Sequence, residues 1–408
     1  MIRHPEPPTS TPIPAAVLAP APAPQRTAPA PGPAPGSSGP DWPHLSGDDL
    51  ALVALLGLPF LSWDRLRALL QGRTPSQAWA AVCHGQAGPG LRRAAAAGPP
   101  LAELAATYAT VPFARHGSPR YPPALAADHE APAAVFWRGD LSVLDRPRVA
   151  LVGTRRCTHY GRDVARQLGH ELAQAGVCVV SGLAAGIDGA AHEGALVGVA
   201  EAEADGGAPG RPVAVVGSGL DIVYPRRHAR LWERVAEAGV VLTEAPLGAR
   251  PEPWRFPARN RIIAALAHVL VVVESRATGG SMHTVRAAEE RGVPVLAVPG
   301  PVRSRASEGT NLLLSQGCHP ACDTQDVLAA LALRTAGLPG PVGYLPHPER
   351  PEPEGLAAAV LAAVDWTPTA VEQVLARTDL PVPAVSAALN RLEQDGWVAR
   401  EAGWWQRC

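Results

Sequence analysis

Apolar positions divide the chain before any motif does. From Ser46 onward, Leu50, Val53, Leu55 and Leu56, and then Leu66, Leu69 and Leu70, recur at helical spacing, with Ser46, Asp48 and Asp49 as helix-start signals. This predicts a small helical module over residues 45–110. Beyond it the period changes. Val149–Val152, Val177–Val180, Val213–Val216, Val240–Thr243, Val269–Val273 and Val295–Val298 are short, nearly continuous β-branched runs. They are separated by amphipathic stretches such as Arg162–Ala175 and Leu231–Ala238, which indicates a parallel sheet buried on both faces. Residues 111–335 therefore read as a doubly wound, mostly parallel α/β domain.

The remaining segments follow from where the periods fail. Residues 1–44 are dominated by proline and alanine and cannot bury enough surface to offset ordering, so a disordered tail is expected. Glu201–Arg211, rich in glycine and acids, reads as a solvent loop, and residues 336–354 as a proline- and glycine-rich linker. In residues 355–408, Leu356–Val364 and Ala370–Ala376 are helical. A turn follows at Asp379-Leu-Pro381, then a helix with Val385, Leu389 and Leu392 on one face. The strands Trp397–Arg400 and Trp404–Arg407, joined through Glu401-Ala-Gly403, complete a winged-helix pattern.

Composition narrows the chemistry. The 408 residues carry a net charge of −1, so binding to a polyanion has to come from local placement of cations and not from bulk charge. Every one of the 36 basic residues is arginine; without lysine, a Walker A loop, a Schiff base and a lysine general base are all excluded. The six cysteines are scattered, which suits a reducing compartment, and Cys318-His319-Pro-Ala-Cys322 lacks the second pair that a zinc site needs. There is neither a cleavable leader pattern nor a membrane-length apolar run, so a cytoplasmic protein without metal, cofactor or membrane partner is expected.

Three strand-to-helix loops carry the candidate chemistry. Gly153-Thr154-Arg155-Arg156 ends the first run with Tyr160-Gly161 opening the next helix, Ser181-Gly182 ends the second, and Arg255-Phe256-Pro-Ala-Arg259-Asn260-Arg261 precedes an apolar helix. Loops at the carboxyl edge of such a sheet lie side by side, and guanidinium forks with backbone amides suit phosphate. Arginines interleaved with Trp254 and Phe256 are what a groove tracking a single nucleic-acid strand needs. Gly279-Gly280-Ser281 is a second helix start able to receive an anion. The expected groove is thus lined by Arg155, Arg156, Arg259, Asn260 and Arg261, with amides near Gly153, Gly182 and Gly280. The dinucleotide fingerprint is absent, and Gly217-Ser-Gly219 reads as a tight turn. Asp188 and His192, at i and i+4, read as a buried acid orienting a core histidine, with no catalytic residue assigned. Gly57-Leu-Pro-Phe-Leu61 is a degraded hairpin turn, which favours a structural helix pair in the first module.

In order along the chain, these motifs resemble the DNA-processing protein A (DprA, or Smf) family. The resemblance is carried by Tyr121-Pro122, Arg138-Gly139, Val152-Gly-Thr-Arg155, Ser181-Gly-Leu-Ala184, Gly186-Ile-Asp188, His192-Glu-Gly-Ala-Leu196, Tyr224-Pro225, Phe256-Pro257, Arg259-Asn-Arg-Ile-Ile263, Pro299-Gly300 and Gly309-Thr-Asn311. It implies an extended Rossmann-like core with a SAM-like helical module and a winged helix. It further implies a non-enzymatic homodimer that binds incoming single-stranded DNA during natural transformation, protects it and helps load the RecA recombinase, with single-stranded-DNA-binding protein as a further partner.

Two departures stand out. Gly279-Gly-Ser-Met-His-Thr-Val285 replaces the family's Ser-Gly-Ser-Leu-Ile-Thr-Ala, which leaves His283 without a role. Residues 355–408 hold four arginines against six acids, so protein contact or weak auxiliary DNA binding is expected of the winged helix. Two other classes compete. A nucleotide phosphoribohydrolase of similar fold carries a Pro-Gly-Gly-x-Gly-Thr loop and glutamate that Val298–Val302 lacks, and a winged-helix transcription regulator is disfavoured by the acidic C-terminal module.

Overall fold

The computed structural model describes residues 45–59, 61–335, 353–365, 369–401 and 403–407. The expected tail over 1–44 lies outside the described residues, as do all but the last two residues of the expected linker, Phe60 of the first interhelical turn and Ala402 of the wing.

Helices α1 (Gly47–Leu56), α2 (Trp63–Leu70), α3 (Pro75–Cys83), α4 (Pro89–Ala97) and α5 (Leu101–Tyr108) form the N-terminal module. Ser46 caps α1 in a reciprocal box: its hydroxyl accepts from the Asp49 amide, and the Asp49 carboxylate accepts from the Ser46 amide at 3.0 Å. Asp48 reaches across to the Ser76 amide at the start of α3, also at 3.0 Å. Leu52, Leu55, Leu66 and Val82 pack with Phe113 and Phe136 of the sheet, so the module shares a core with the α/β domain. The Tyr108 hydroxyl extends that junction by accepting from the Leu247 amide at 2.7 Å.

The α/β domain runs β1 (Phe113–Arg115), α6 (Pro123–Ala126), β2 (Ala134–Gly139), β3 (Arg148–Val152), α7 (His159–Gln174), β4 (Cys178–Ser181), α8 (Ile187–Ala204), β5 (Pro212–Val215), α9 (Ala229–Ala238), β6 (Val240–Thr243), α10 (Arg255–Leu266), β7 (Val269–Val272), α11 (Ser281–Glu289), β8 (Val295–Ala297), α12 (Glu308–Ser315), β9 (His319–Pro320) and α13 (Thr324–Arg334). The sheet order is β1-β2-β6-β5-β4-β3-β7-β8-β9. Strands β3 to β9 pair in parallel, and β1 and β2 add an antiparallel edge. The order turns around between β3 and β7.

The six β-branched runs are β3 to β8; β1, β2 and β9 are additions to the expectation. Helix α8 continues to Ala204, into the expected Glu201–Arg211 loop, because Glu201 and Glu203 pair with His170 at 2.6 Å and Arg211 at 2.7 Å.

Helices α7 and α8 approach backbone to backbone through glycine. A Cβ on Gly169 would lie 2.2 Å from the Ala191 carbonyl, one on Gly194 1.9 Å from that of Arg166, and one on Gly198 2.3 Å from that of His170. Among the described residues, no helix is long and apolar enough to cross a membrane.

The C-terminal winged helix comprises α14 (Gly355–Ala363), β10 (Thr369–Ala370), α15 (Val371–Thr378), α16 (Val382–Gln394), β11 (Val398–Glu401) and β12 (Trp404–Arg407), with strand order β10-β12-β11. Val360, Val374, Val385, Leu389 and Trp405 form its core. Its cations are engaged internally. Arg377 pairs with Asp365 at 2.8 Å, Arg391 with Asp395 at 3.7 Å, Arg400 lies over Trp405, and Arg407 donates to the Leu361 and Val364 carbonyls.

Candidate nucleic-acid interface

At the carboxyl edge of the sheet a cleft of about 840 Å³ is lined by Arg155 and Arg156 after β3, Arg162 and Arg166 on α7, Ala184–Gly186 after β4, and Tyr224 to His228. Of its five arginines, Arg155, Arg156, Arg162, Arg166 and Arg227, only Arg166 is ion-paired among the described residues, to Glu193 at 2.9 Å and Asp163 at 3.4 Å. The Arg155 guanidinium lies 4.5 Å from the Phe256 ring centroid, and Phe256 packs against Tyr224 with centroids 5.4 Å apart. A cation and two aromatic rings therefore stand together at the Arg155 end of the cleft, with Tyr224 on its lining, the pairing that holds a sugar-phosphate chain and stacks its bases.

The backbone beneath is built for close approach. Gly186, at φ +83°, opens α8, and a Cβ there would lie 2.3 Å from the Thr154 carbonyl, so only glycine brings the β4 loop against the β3 loop. Leu183 is buried in the left-handed region at φ +52°, held by its carbonyl to Nδ1 of His228 at 3.0 Å. Such backbone costs roughly 1–3 kcal/mol and persists where the surroundings over-determine it.

Several expected site residues lie elsewhere than on the groove wall. The helix start after β3 carries an internal anion: buried Glu274, from the loop after β7, accepts the Thr158 amide at 2.9 Å and the Thr158 hydroxyl at 2.5 Å. Burial pushes this carboxyl up, and the Thr158 hydrogen bonds pull it back. The Thr154 amide donates to the Glu274 carbonyl at 2.8 Å, and Gly153 is wedged against Ile187. The Thr154 amide and the start of α7 are thus taken by Glu274, while the Arg155 and Arg156 side chains remain on the cleft.

Arg259 and Arg261 also depart from expectation. They are only 4% and 8% exposed. Arg259 donates to the Val215 carbonyl at 2.5 Å and lies directly under Gly182, where a Cβ would overlap its guanidinium. Arg261 pairs with Glu244 at 2.5 Å and lies over Trp63 of α2. Burial brings Arg259 down to about 10, partly offset by Asp188, and pushes the Asp188 carboxyl up against the pull of Arg259 and Arg155. Arg155 and Arg259 thus both act on the Asp188 carboxylate electrostatically, and Arg155 alone of the two lines the cleft.

Ser181 is fully buried and donates to the Leu151 carbonyl at 2.6 Å. Asn260 donates to the Gly280 carbonyl at 3.4 Å, Ser281 to the Ser275 hydroxyl at 2.7 Å, and Gly279 is packed on Ser275, which places the Gly279–Ser281 loop outside this cleft. Arg255 turns the other way, over Trp254. His192 is fully buried and makes no hydrogen bond to Asp188 among the described residues, and burial holds its pKa down at about 3 against a backbone hydrogen bond with Ser181. Arg162, Arg166, Arg227 and Tyr224 are lining residues that the sequence reading did not single out for the groove. The i, i+4 repeat of Arg162 and Arg166 just after Arg155-Arg156 was the available signal.

A family profile described as DNA recombination-mediator protein A matches residues 113–332, and one described as the DprA winged helix domain matches residues 345–403. Protein Smf of Escherichia coli is 37% identical over 289 residues, covering 70% of this chain and 75% of that protein. The DNA processing protein DprA of Streptococcus pneumoniae is 38% identical over 213 residues, covering 51% and 70%. The X-ray structure of the Streptococcus pneumoniae DprA superposes with a TM-score of 0.58 at 30% identity, covering 69% of this chain and 97% of that one.

Proposed function

Because the chain belongs to the DNA recombination-mediator protein A family, we propose that its arginine cleft holds single-stranded DNA without reading its sequence and presents it to a RecA-type recombinase during natural transformation. The observation that carries this reading is the set of arginines without ion pairs, Arg155, Arg156, Arg162 and Arg227, ranged beside the Phe256 and Tyr224 rings. Guanidinium groups bind phosphate oxygens, aromatic faces stack any base, and neither selects a sequence. In this reading the protein acts in the cytoplasm as a homodimer, cooperates with single-stranded-DNA-binding protein, and performs no bond-breaking step. The winged helix serves protein contact or auxiliary DNA binding, in keeping with its internally engaged cations.

Anisotropy titration of labelled oligothymidylate tests the site. Arg155→Ala should weaken binding by roughly tenfold or more, since it removes both a phosphate contact and the cation over Phe256. Unchanged affinity in Arg155→Ala and Arg227→Ala would defeat the assignment. Incubation with AMP should release no adenine; release would favour a hydrolase.

A further inference from the structure

A second cleft, of about 600 Å³, opens between the helical module and the carboxyl ends of β5 and β6. Its roof is the α1–α2 junction with Leu58, Leu61 and Trp63, its floor Val216–Gly217 and Thr243–Ala245, and its far wall Trp254, Arg255 and Arg259 from the start of α10. It shares no lining residue with the arginine cleft.

Three features of this cleft point to a ligand. Its volume falls in the range of roughly 300–1,000 Å³ typical of small-molecule pockets. Two indoles border it. Trp63 already carries the guanidinium groups of Arg67, at 5.1 Å, and Arg261, at 5.5 Å, over its ring. Trp254 is 53% exposed although its Nε1 is pinned to Glu252 at 2.8 Å. The third feature is an unspent donor: among the described residues the buried Nε–H of Arg259 has no hydrogen-bond acceptor and Arg259 is almost wholly buried, while the Nε–H of Arg255 has only Glu252, at 3.6 Å. Buried guanidinium donors rarely go unsatisfied without a reason. The carboxylates here are already engaged, Glu244 by Arg261 and Glu252 by Trp254 and Arg255, so the outstanding demand is for an acceptor.

We propose that this cleft is a nucleotide subsite, in which one base stacks on the exposed Trp254 while its carbonyl or ring-nitrogen edge, or its phosphate, accepts from Arg259 and Arg255. The nucleotide is either free or a unit of the strand in the arginine cleft, and only the second source rests on the single-strand reading. A bound strand would then be gripped at two places.

The test uses the full chain, with dAMP followed by saturation-transfer NMR and an oligothymidylate carrying 5-iododeoxyuridine photocrosslinked and mapped by mass spectrometry. Saturation transfer to dAMP that is abolished in Trp254→Ala and Arg255→Gln but kept in Arg155→Ala supports a subsite for free nucleotide. Crosslinks at Trp254, with oligonucleotide affinity reduced roughly 5- to 150-fold in Trp254→Ala, support a subsite for the strand. Absence of the dAMP signal together with crosslinks confined to Phe256 and Tyr224 overturns the inference while leaving the proposed function standing. A dAMP signal without any oligonucleotide binding keeps the cleft and removes the proposed function.

Discussion

At the scale of single residues, the buried histidines set an acid limit. Burial holds His192 at about 3 and His268 at about 4, against 6.5 for a solvated imidazole, so both are neutral in the folded chain. As pH falls below 6.5 the unfolded chain takes up these protons first. Stability is therefore full above that value and is lost on the way down to about 4, by up to ~1.4 kcal/mol per pH unit for fully buried His192 and by less for half-buried, partly solvent-screened His268. Thermal melts stepped from neutral to mildly acidic pH should show this decline, and His192→Leu should make it less than half as steep. The arginines show what a residue type alone hides. Arg155 and Arg259 look equivalent in the sequence, yet one stacks in a cleft and the other donates to a strand-end carbonyl, a difference fixed by the strand packed above it.

Elements were legible where burial repeats. The β-branched runs became β3 to β8 because strands covered on both faces tolerate little else. Strand β2 escaped notice because half its environment is the helical module, a contact distant in sequence, and β9 because two residues carry no period. The α7–α8 pair could not be read at all, since Gly169, Gly194 and Gly198 matter through what they approach and not through any rhythm. Gly194→Ala, which would place a Cβ 1.9 Å from the Arg166 carbonyl, should cost about 3 kcal/mol in chemical denaturation. Gly90→Ala in α4, where nothing lies within 4 Å, should gain about 0.5 kcal/mol.

For the whole molecule, a net charge of −1 means that any hold on a polyanion is local. Four arginines free of ion pairs in the first cleft should give a slope of log affinity against log salt of about −3, shallower by about 0.7 in Arg155→Ala. A much steeper slope would mean that the winged helix or the helical module adds phosphate contacts. The three-part layout was visible in the sequence; the shared core between the helical module and the sheet, and the cleft it roofs, were not, because both arise between segments far apart in the chain. The glycine contact of α7 with α8 also bears on kinetics. Arg162 and Arg166 stand on one of these helices and Glu193 on the other, and two backbones in direct touch leave no slack for the rim to spread or narrow. A ligand arriving there meets donors whose spacing was fixed at folding, so capture should proceed in one step at a rate set by encounter, with no slower phase of induced closure to follow.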